Sequence, residues 1–127
     1  MKFRLMTSRE TGDILKLLHN KSNILRPNIL ARIAINLSLL EEEPPESKDF
    51  DNKGLEFHRN VLFGEYDRLF KALFAQNLGR EIEEEEFFPF LTKCHLERGA
   101  SLLKKEYEYS GNFKRFLYKY IERGKSN

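Results

Sequence analysis

Residues 23–40, NILRPNILARIAINLSLL, contain the clearest turn in this sequence, followed directly by its clearest helix start. Proline is tolerated at the first position of a helix, because its missing N–H would have no helical partner there. Pro27 therefore predicts a helix start, and Asn28 to Leu40 supply the helix. Its apolar residues recur at the spacing of one helical face, namely Ile29, Leu30, Ile33, Leu37 and Leu40. Further apolar residues widen that surface and predict a helix buried on most sides: Ala31, Ala34, Ile35 and Leu39.

A polar line runs along the same predicted helix. Asn28, Arg32 and Asn36 are spaced four residues apart, so they share one face. Arg and Asn are side chains that contact phosphates and base edges in nucleic-acid complexes. This helix therefore raises the hypothesis of nucleic-acid binding.

Length and composition limit the class of protein. With 127 residues, 40% hydrophobic and 33% charged, the chain predicts one folded domain over residues 1–127. Its single Cys excludes an internal disulfide framework. No apolar run approaches the roughly 20 residues of a membrane helix, and the start, MKFRLMTSRETGD, lacks the apolar region of a signal peptide. We therefore expect a cytoplasmic protein.

Charge is segregated along the chain although the net charge is only +2. Residues 1–40 carry seven Lys or Arg against two acids, and residues 93–127 carry nine against four. Between these ends, residues 41–51 carry six acids against one Lys, and residues 81–86 read EIEEEE. A single charge run is most simply a solvated face. Segregation on this scale favours an oriented electrostatic field or pairing between subunits.

The periodicity predicts a mainly α protein, a compact bundle of about five helices with one or two short strands. Helices are predicted over residues 8–20, 27–40, 65–77, 89–104 and 113–123, and strands over residues 2–6 and 55–57. Thr7 and Ser8 are the expected caps of the first helix. The segment 41–54 contains Pro44, Pro45 and Gly54 and predicts an exposed, mobile loop, and residues 107–111 predict a break.

Three segments carry a resemblance to a known family. These are RPNILARIAINLSL at 26–39, EFHRNVLFGEYDRLFKAL at 56–73 and HLERGASLL at 95–103. In this order they resemble the DndE family, over most of the chain from about Arg4 to Leu103. That family belongs to the bacterial DNA phosphorothioation system, in which sulfur replaces a non-bridging phosphate oxygen.

The resemblance implies a small, helical, oligomeric and DNA-binding protein. It also implies work beside a cysteine desulfurase, an ATP-using sulfur-transfer protein and an SMC-like ATPase, in a system of the restriction–modification type. Surface lysines of the family are implicated in DNA contact. The expected DNA-binding residues here lie on the first two predicted helices and their turn: Lys16, Lys21, Arg26, Asn28 and Arg32. The expected function is a non-catalytic subunit that grips the backbone of double-stranded DNA as a homo-oligomer, without a cofactor.

Catalytic and metal-binding interpretations are weaker. Cys94 and His95 are adjacent, so on a helix they point about 100° apart and are poorly placed to share a proton. His19, His58 and His95 lack the paired spacing of a zinc site. Gly99 disfavours a helix by roughly 1 kcal/mol relative to Ala, so it predicts close approach of another backbone. We expect no enzymatic activity and no bound metal.

Two other functions fit the pattern. The protein could be an oligomeric adaptor that docks the sulfur-transfer and ATPase partners without binding DNA. It could also be a ribbon–helix–helix module, since a strand at 2–6 and helices at 8–20 and 27–40 occur in that order. The long remainder of the chain argues against a simple repressor. A DNA contact at the opposite end of the chain also competes, through the basic predicted helix at 113–123.

Overall fold

The computed structural model describes residues 3–23, 25–111 and 115. Strand β1 (Arg4–Met6) leads into helix α1 (Arg9–Ser22), and helix α2 (Pro27–Leu39) follows after a short turn. Beyond the loop come strand β2 (Glu56–His58), the short helix α3 (Arg59–Phe63) and helix α4 (Asp67–Leu78). Helix α5 (Thr92–Ser110) follows a wide helical turn, Glu86–Leu91. The chain is mainly α, as the sequence predicted.

The start of α1 and the α1–α2 turn form as their residues predict. The Ser8 hydroxyl caps α1 by accepting a hydrogen bond from the backbone N–H of Thr11 at 3.1 Å. Asn23 ends α1 with a positive φ of 57°, a conformation that Asn tolerates better than most residues. Pro27 then occupies the first turn of α2.

Helix α2 packs most extensively against α5, and this contact decides which of its faces is buried. The inward face carries Leu30, Ala31, Ala34, Ile35 and Ser38, each fully buried. The apolar line predicted for the core is therefore partly wrong, since Ile29 is 37% exposed and Leu40 is 76% exposed. Gly99 explains the choice of face: a Cβ at that position would lie 1.8 Å from the Ala34 carbonyl oxygen. The predicted close backbone approach at Gly99 is confirmed.

Several predicted boundaries need correction. Helix α5 continues through the predicted break at 107–111 and ends at Ser110, because Gly111, with φ of 81°, is the residue that stops it. Helix α5 starts at Thr92 instead of near Pro89. The predicted third helix begins at Asp67, after the unpredicted helix α3 and a tight turn. The predicted helix at 113–123 lies outside the described residues, apart from residue 115.

The two strands pair with each other inside the chain. Strand β1 is antiparallel to β2, with Leu5 opposite Phe57, and both of these side chains are buried. The strand–helix–helix order of the ribbon–helix–helix hypothesis is present. Here, however, the strand's hydrogen-bonded partner is β2 of the same chain.

The acidic loop 41–54 is mostly exposed, as predicted, and hydrogen bonds tie it to α1 and α5. Its Asp51 carboxylate accepts a hydrogen bond from the backbone N–H of Arg9 at 2.9 Å, and this bond lowers the pKa of Asp51. Lys93 of α5 donates to the Asp51 carbonyl at 2.8 Å. Arg98 donates to the Glu43 carbonyl at 2.7 Å. Within the described chain, no helix has the length and apolar character needed to cross a membrane.

Candidate nucleic-acid interface

The directions of three helices bring separate basic segments to one end of the bundle. Ser38 and Ala34 of α2 contact Arg98 and Gly99 of α5 in the order that makes these helices antiparallel. The start of α1 bonds to Glu97 through Ser8 and Thr11, and a turn of only a few residues joins the end of α1 to the start of α2, so α1 runs in the same general direction as α5. The end of α1, the start of α2 and the end of α5 therefore lie at the same end. We call residues 21–23, 25–27 and 110–111 the turn end.

The predicted cations Lys16, Lys21 and Arg26 are all exposed. Lys16 and Lys21 are five residues apart, which places them about 140° apart around the axis of α1. They thus stand at the two edges of its exposed face, which includes Leu17 and Asn20 between them. Arg26 directly precedes α2, in extended conformation. The structure therefore places the three cations along α1 and its turn.

These three cations have no acidic partner. Among the described residues, Lys16, Lys21 and Arg26 form neither an ion pair nor a side-chain hydrogen bond. Some other basic side chains pair with acids of the chain, as in Arg4–Glu56, Arg59–Asp67, Lys71–Glu84 and Arg80–Glu86, whereas the exposed Lys53, Arg68 and Lys105 also lack an ion pair within the described part of the chain. Unpaired cations at the surface remain available to an anionic partner.

Arg32 and Asn28 are less accessible for DNA contact than the sequence predicted. Both are half-buried. The Arg32 guanidinium reaches across to α3 and donates to the Val61 carbonyl at 3.2 Å, while its Nε is buried without a partner. The structure therefore directs Arg32 toward the chain's own backbone and separates it from the three exposed cations.

Arg9 is a cation that the sequence analysis missed. It is exposed and precedes Lys16 by seven residues, so the two share one line of α1. The seven-residue spacing between Arg9 and Lys16 is the signal in the sequence that could have identified Arg9 as part of the same basic face. Glu10 and Asp13 are also exposed near the start of α1, so the positive charge of this helix is strongest toward the turn end.

A buried carboxylate fixes the position of α1. Glu97 of α5 is only 8% exposed and accepts from the Ser8 backbone N–H at 2.9 Å and from the Thr11 hydroxyl at 2.7 Å. The Ser8 hydroxyl also donates to it. The N-terminus of a helix stabilises a negative charge, so Glu97 is well placed at the start of α1. This contact orients the helix that carries Lys16 and Lys21.

A second polar network fixes α2. Arg98 donates to the Ser38 hydroxyl at 2.8 Å, so that hydroxyl is free to donate to Nδ1 of His95, also at 2.8 Å. The His95 ring stacks on Phe74 with centroids 4.3 Å apart. Burial and the nearby Arg98 charge lower the pKa of His95 to about 4. His95 is therefore a neutral structural residue near pH 7.

Cys94 does not share a proton with His95 in this arrangement. The thiol is buried, and burial raises its pKa. Cys94 lines two clefts, of about 690 and 530 Å³, that are also lined by residues of the acidic loop, whereas His95 stacks on Phe74 and bonds to Ser38. No group of three His, Cys, Asp or Glu side chains that could hold a metal ion occurs in residues 3–23 and 25–111.

Comparison with known proteins identifies the family. A family model described as DNA sulphur modification protein DndE matches residues 4–110. The chain belongs to the DndE family. The resemblance carried by the three sequence segments is therefore confirmed. No curated protein matches the chain.

Solved structures of DndE proteins agree with this fold. The crystal structure of DndE from Escherichia coli B7A, involved in DNA phosphorothioation modification, is 26% identical, with a TM-score of 0.64. The match covers 81% of this chain and 97% of that one. The crystal structure of a mutant of DndE involved in DNA phosphorothioation is also 26% identical, with a TM-score of 0.60. That match covers 83% of this chain and 99% of the mutant's chain.

Proposed function

We propose that this protein is a non-catalytic DNA-binding subunit of a bacterial DNA phosphorothioation system, working in the cytoplasm. The observation that carries the proposal is the set of unpaired cations on α1 and the turn end: Lys16, Lys21 and Arg26, joined by Arg9. Membership of a family named for DNA sulphur modification supports DNA as the anionic partner. The basic patch would contact the phosphates of duplex DNA.

Binding of this kind is electrostatic and nearly independent of sequence. Each phosphate that a Lys or Arg neutralises releases condensed counterions, so affinity falls steeply with salt. The polar side chains predicted for base contact do not support sequence recognition, because Arg32 is engaged by the Val61 carbonyl and Asn28 is half-buried.

An oligomer would repeat the basic patch along a duplex. Oligomer formation is supported by apolar side chains that stay exposed in a single copy, on α2, directly after it and on the neighbouring α3. Ile29 and Leu40 are exposed, and Val61, whose carbonyl bonds to Arg32 of α2, is 44% exposed. A second copy packed on this side would bury these residues and place two patches at a fixed spacing.

The test compares two charge-reversal variants in the full-length protein. One carries Lys16→Glu, Lys21→Glu and Arg26→Glu; the control reverses the exposed residues Lys53, Arg68 and Lys105, which lie on three other segments. Both variants lower the net charge equally. Fluorescence anisotropy with duplexes of unrelated sequence at several salt concentrations gives affinity and salt slope.

We expect the first variant to bind all duplexes more weakly and to lose about 2.7 units of salt slope, since each neutralised phosphate contributes about 0.9. The control should keep most of the wild-type slope. Equal losses in the two variants would refute a localised site, and wild-type protein that binds no duplex would refute the proposed function.

An adaptor function is the second candidate. Its support is the acidic surface at the end of the bundle opposite the turn end. The Glu41 carbonyl accepts a hydrogen bond from Asn77 near the end of α4, so residues 41–43 lie close to the start of the acidic run 81–86. Exposed Leu40 adjoins them. This surface would suit the sulfur-transfer and ATPase partners, and its charge reversal should abolish their capture while leaving DNA affinity unimpaired.

A further inference from the structure

The outer edge of β1 carries backbone groups that lack a hydrogen-bond partner among residues 3–23 and 25–111. In an antiparallel pair, successive residues point their N–H and C=O groups alternately toward the partner strand and away from it. Phe3 and Thr7, which flank β1, both bond toward β2 and its neighbouring residues, at 2.8 Å each, and Leu5 follows the same alternation. The N–H and C=O groups of Arg4 and Met6 therefore point away from β2 and are unpaired.

A cleft of about 690 Å³ runs along this edge. Arg4, Leu5 and Met6 all line it, whereas β2, whose residues are all described, does not. Consecutive side chains of a strand point to opposite faces, so a cleft lined by three consecutive residues lies beside the strand and not on one face of the sheet. The cleft is therefore located on the side of β1 to which the unpaired groups point.

The size and the rigidity of the cleft suit an added strand. Ligand sites commonly have volumes of roughly 300–1,000 Å³, and a paired strand would lie only about 4.8 Å from β1. The loop that contributes to the cleft is held by Lys93, which donates to the Asp51 carbonyl at 2.8 Å and to the Asn52 side chain at 2.7 Å. Because the cleft is already formed, little ordering of the protein opposes binding.

The lining of the cleft favours a peptide over a nucleic acid. Aromatic side chains contribute to it, including Phe90, which is 45% exposed, and the half-buried Phe50. Its three basic residues face two acidic ones, and each basic side chain already has a partner within the chain. Phosphates would therefore gain little here, whereas an extended backbone would pair with the edge of β1.

We propose that the outer edge of β1 binds an extended segment of a partner protein, which joins the two-stranded sheet as a third strand. The segment has little net charge and apolar side chains at alternate positions, so one row of these side chains contacts Phe50 and Phe90. Its backbone bonds to the outward groups of Arg4 and Met6. This inference goes beyond the proposed function and does not depend on DNA binding, because β1 leads into the start of α1, away from the turn end.

The test uses short peptides and the full-length protein. A random peptide library displayed on phage is selected on the immobilised protein, and an enriched peptide is labelled for fluorescence anisotropy. Met6→Pro removes the outward N–H of β1 but no bond to β2, and proline is tolerated in edge strands where the N–H faces solvent. Glu56→Pro is the matched control, because Glu56 lies opposite Met6 and points its N–H to the outer edge of β2. Phe90→Ser is a second variant in the cleft, and circular dichroism checks that each variant is folded.

We expect Met6→Pro and Phe90→Ser each to bind the peptide at least about tenfold more weakly, since each removes a contact that is buried in the complex. Glu56→Pro should stay within about twofold of the wild type. Hydrogen exchange followed by NMR should show an unprotected Met6 amide in the free protein, slowed at least about tenfold by the peptide. The Leu5 amide, which bonds to β2, should be protected in both states.

Four results would overturn the inference. These are a wild type that enriches no peptide, equal weakening by Met6→Pro and Glu56→Pro, displacement of the peptide by duplex DNA, and dissociation of the protein's own oligomer by Met6→Pro. Displacement by DNA would assign the cleft to nucleic acid, and dissociation would assign the edge to a second copy of the chain. If the peptide binds as expected while the wild type binds no duplex, the inference stands and the proposed function is wrong.

Discussion

Among the described glycines, Gly99 leaves the least room for a Cβ, and this gives a prediction that can be worked out in detail. Replacing Gly99 by Ala would place a methyl group 1.8 Å from the Ala34 carbonyl oxygen and 2.3 Å from its carbon. Ordinary contacts between carbon and oxygen are roughly 3.3–3.6 Å, so α2 and α5 would have to separate by roughly 1.5 Å. A gap of only 0.5–1 Å already loses a quarter to a half of a contact's attraction.

The expected net effect of Gly99→Ala is a loss of about 2 kcal/mol in the free energy of unfolding. Overpacking typically costs about 1–3 kcal/mol, and the nearest atoms here are backbone atoms that cannot rotate away. The gain in helix propensity, about 1 kcal/mol, offsets only part of this cost. For a domain of this size the Tm should fall by roughly 10 °C.

Thermal and urea unfolding followed by circular dichroism measure this loss. The control is Ser101→Ala, at an exposed position two residues further along α5, which should stay within about 0.5 kcal/mol of the wild type. Gly99→Ala as stable as the wild type, or more stable, would refute the α2–α5 packing described above.

Three further predictions concern pH, sulfur chemistry and assembly. The pKa of His95 is lowered from 6.5 to about 4, so the neutral ring stabilises the fold fully above pH 6.5. As pH falls toward 4, up to about 3 kcal/mol of the free energy of unfolding is lost. Urea titrations at several pH values should not show this pH-dependent loss in His95→Asn, whose side chain stays neutral. Cys94→Ser should leave phosphorothioation in cells intact apart from some loss of packing, and a folded, abundant variant without modification would refute the non-catalytic role. Sedimentation at micromolar concentration should show a homo-oligomer, whereas a stable monomer near 15 kDa would argue against it.

Local signals in the sequence predicted the helix boundaries that depend on single residues. Ser8 caps α1, and Pro27 starts α2. Each acts through its own backbone or side chain, so neighbouring residues are enough to predict it. The close backbone approach at Gly99 was also predictable, because glycine disfavours a helix unless close packing requires it. The sequence could not identify Ala34 as the neighbouring residue.

Features that depend on distant parts of the chain could not be predicted. The exposure of Ile29 and Leu40 follows from which face of α2 meets α5, and a periodic pattern does not specify that face. Arg32 is engaged by Val61, which is 29 residues away, and Glu97 bonds to Ser8 across 89 residues. For the candidate site, the sequence predicted exposed cations on α1, and only the structure separates Arg32 from them.

The central claim is that DNA lies against the exposed face of α1 at the turn end, and photo-crosslinking tests it most directly. A benzoylphenylalanine at Asn20, between Lys16 and Lys21, leaves every cation in place; the control places it at Gln76, an exposed position on α4. We predict crosslinks to a labelled duplex from position 20 that disappear at high salt, and few from position 76. Crosslinks that are as frequent from position 76 as from position 20 would contradict the account.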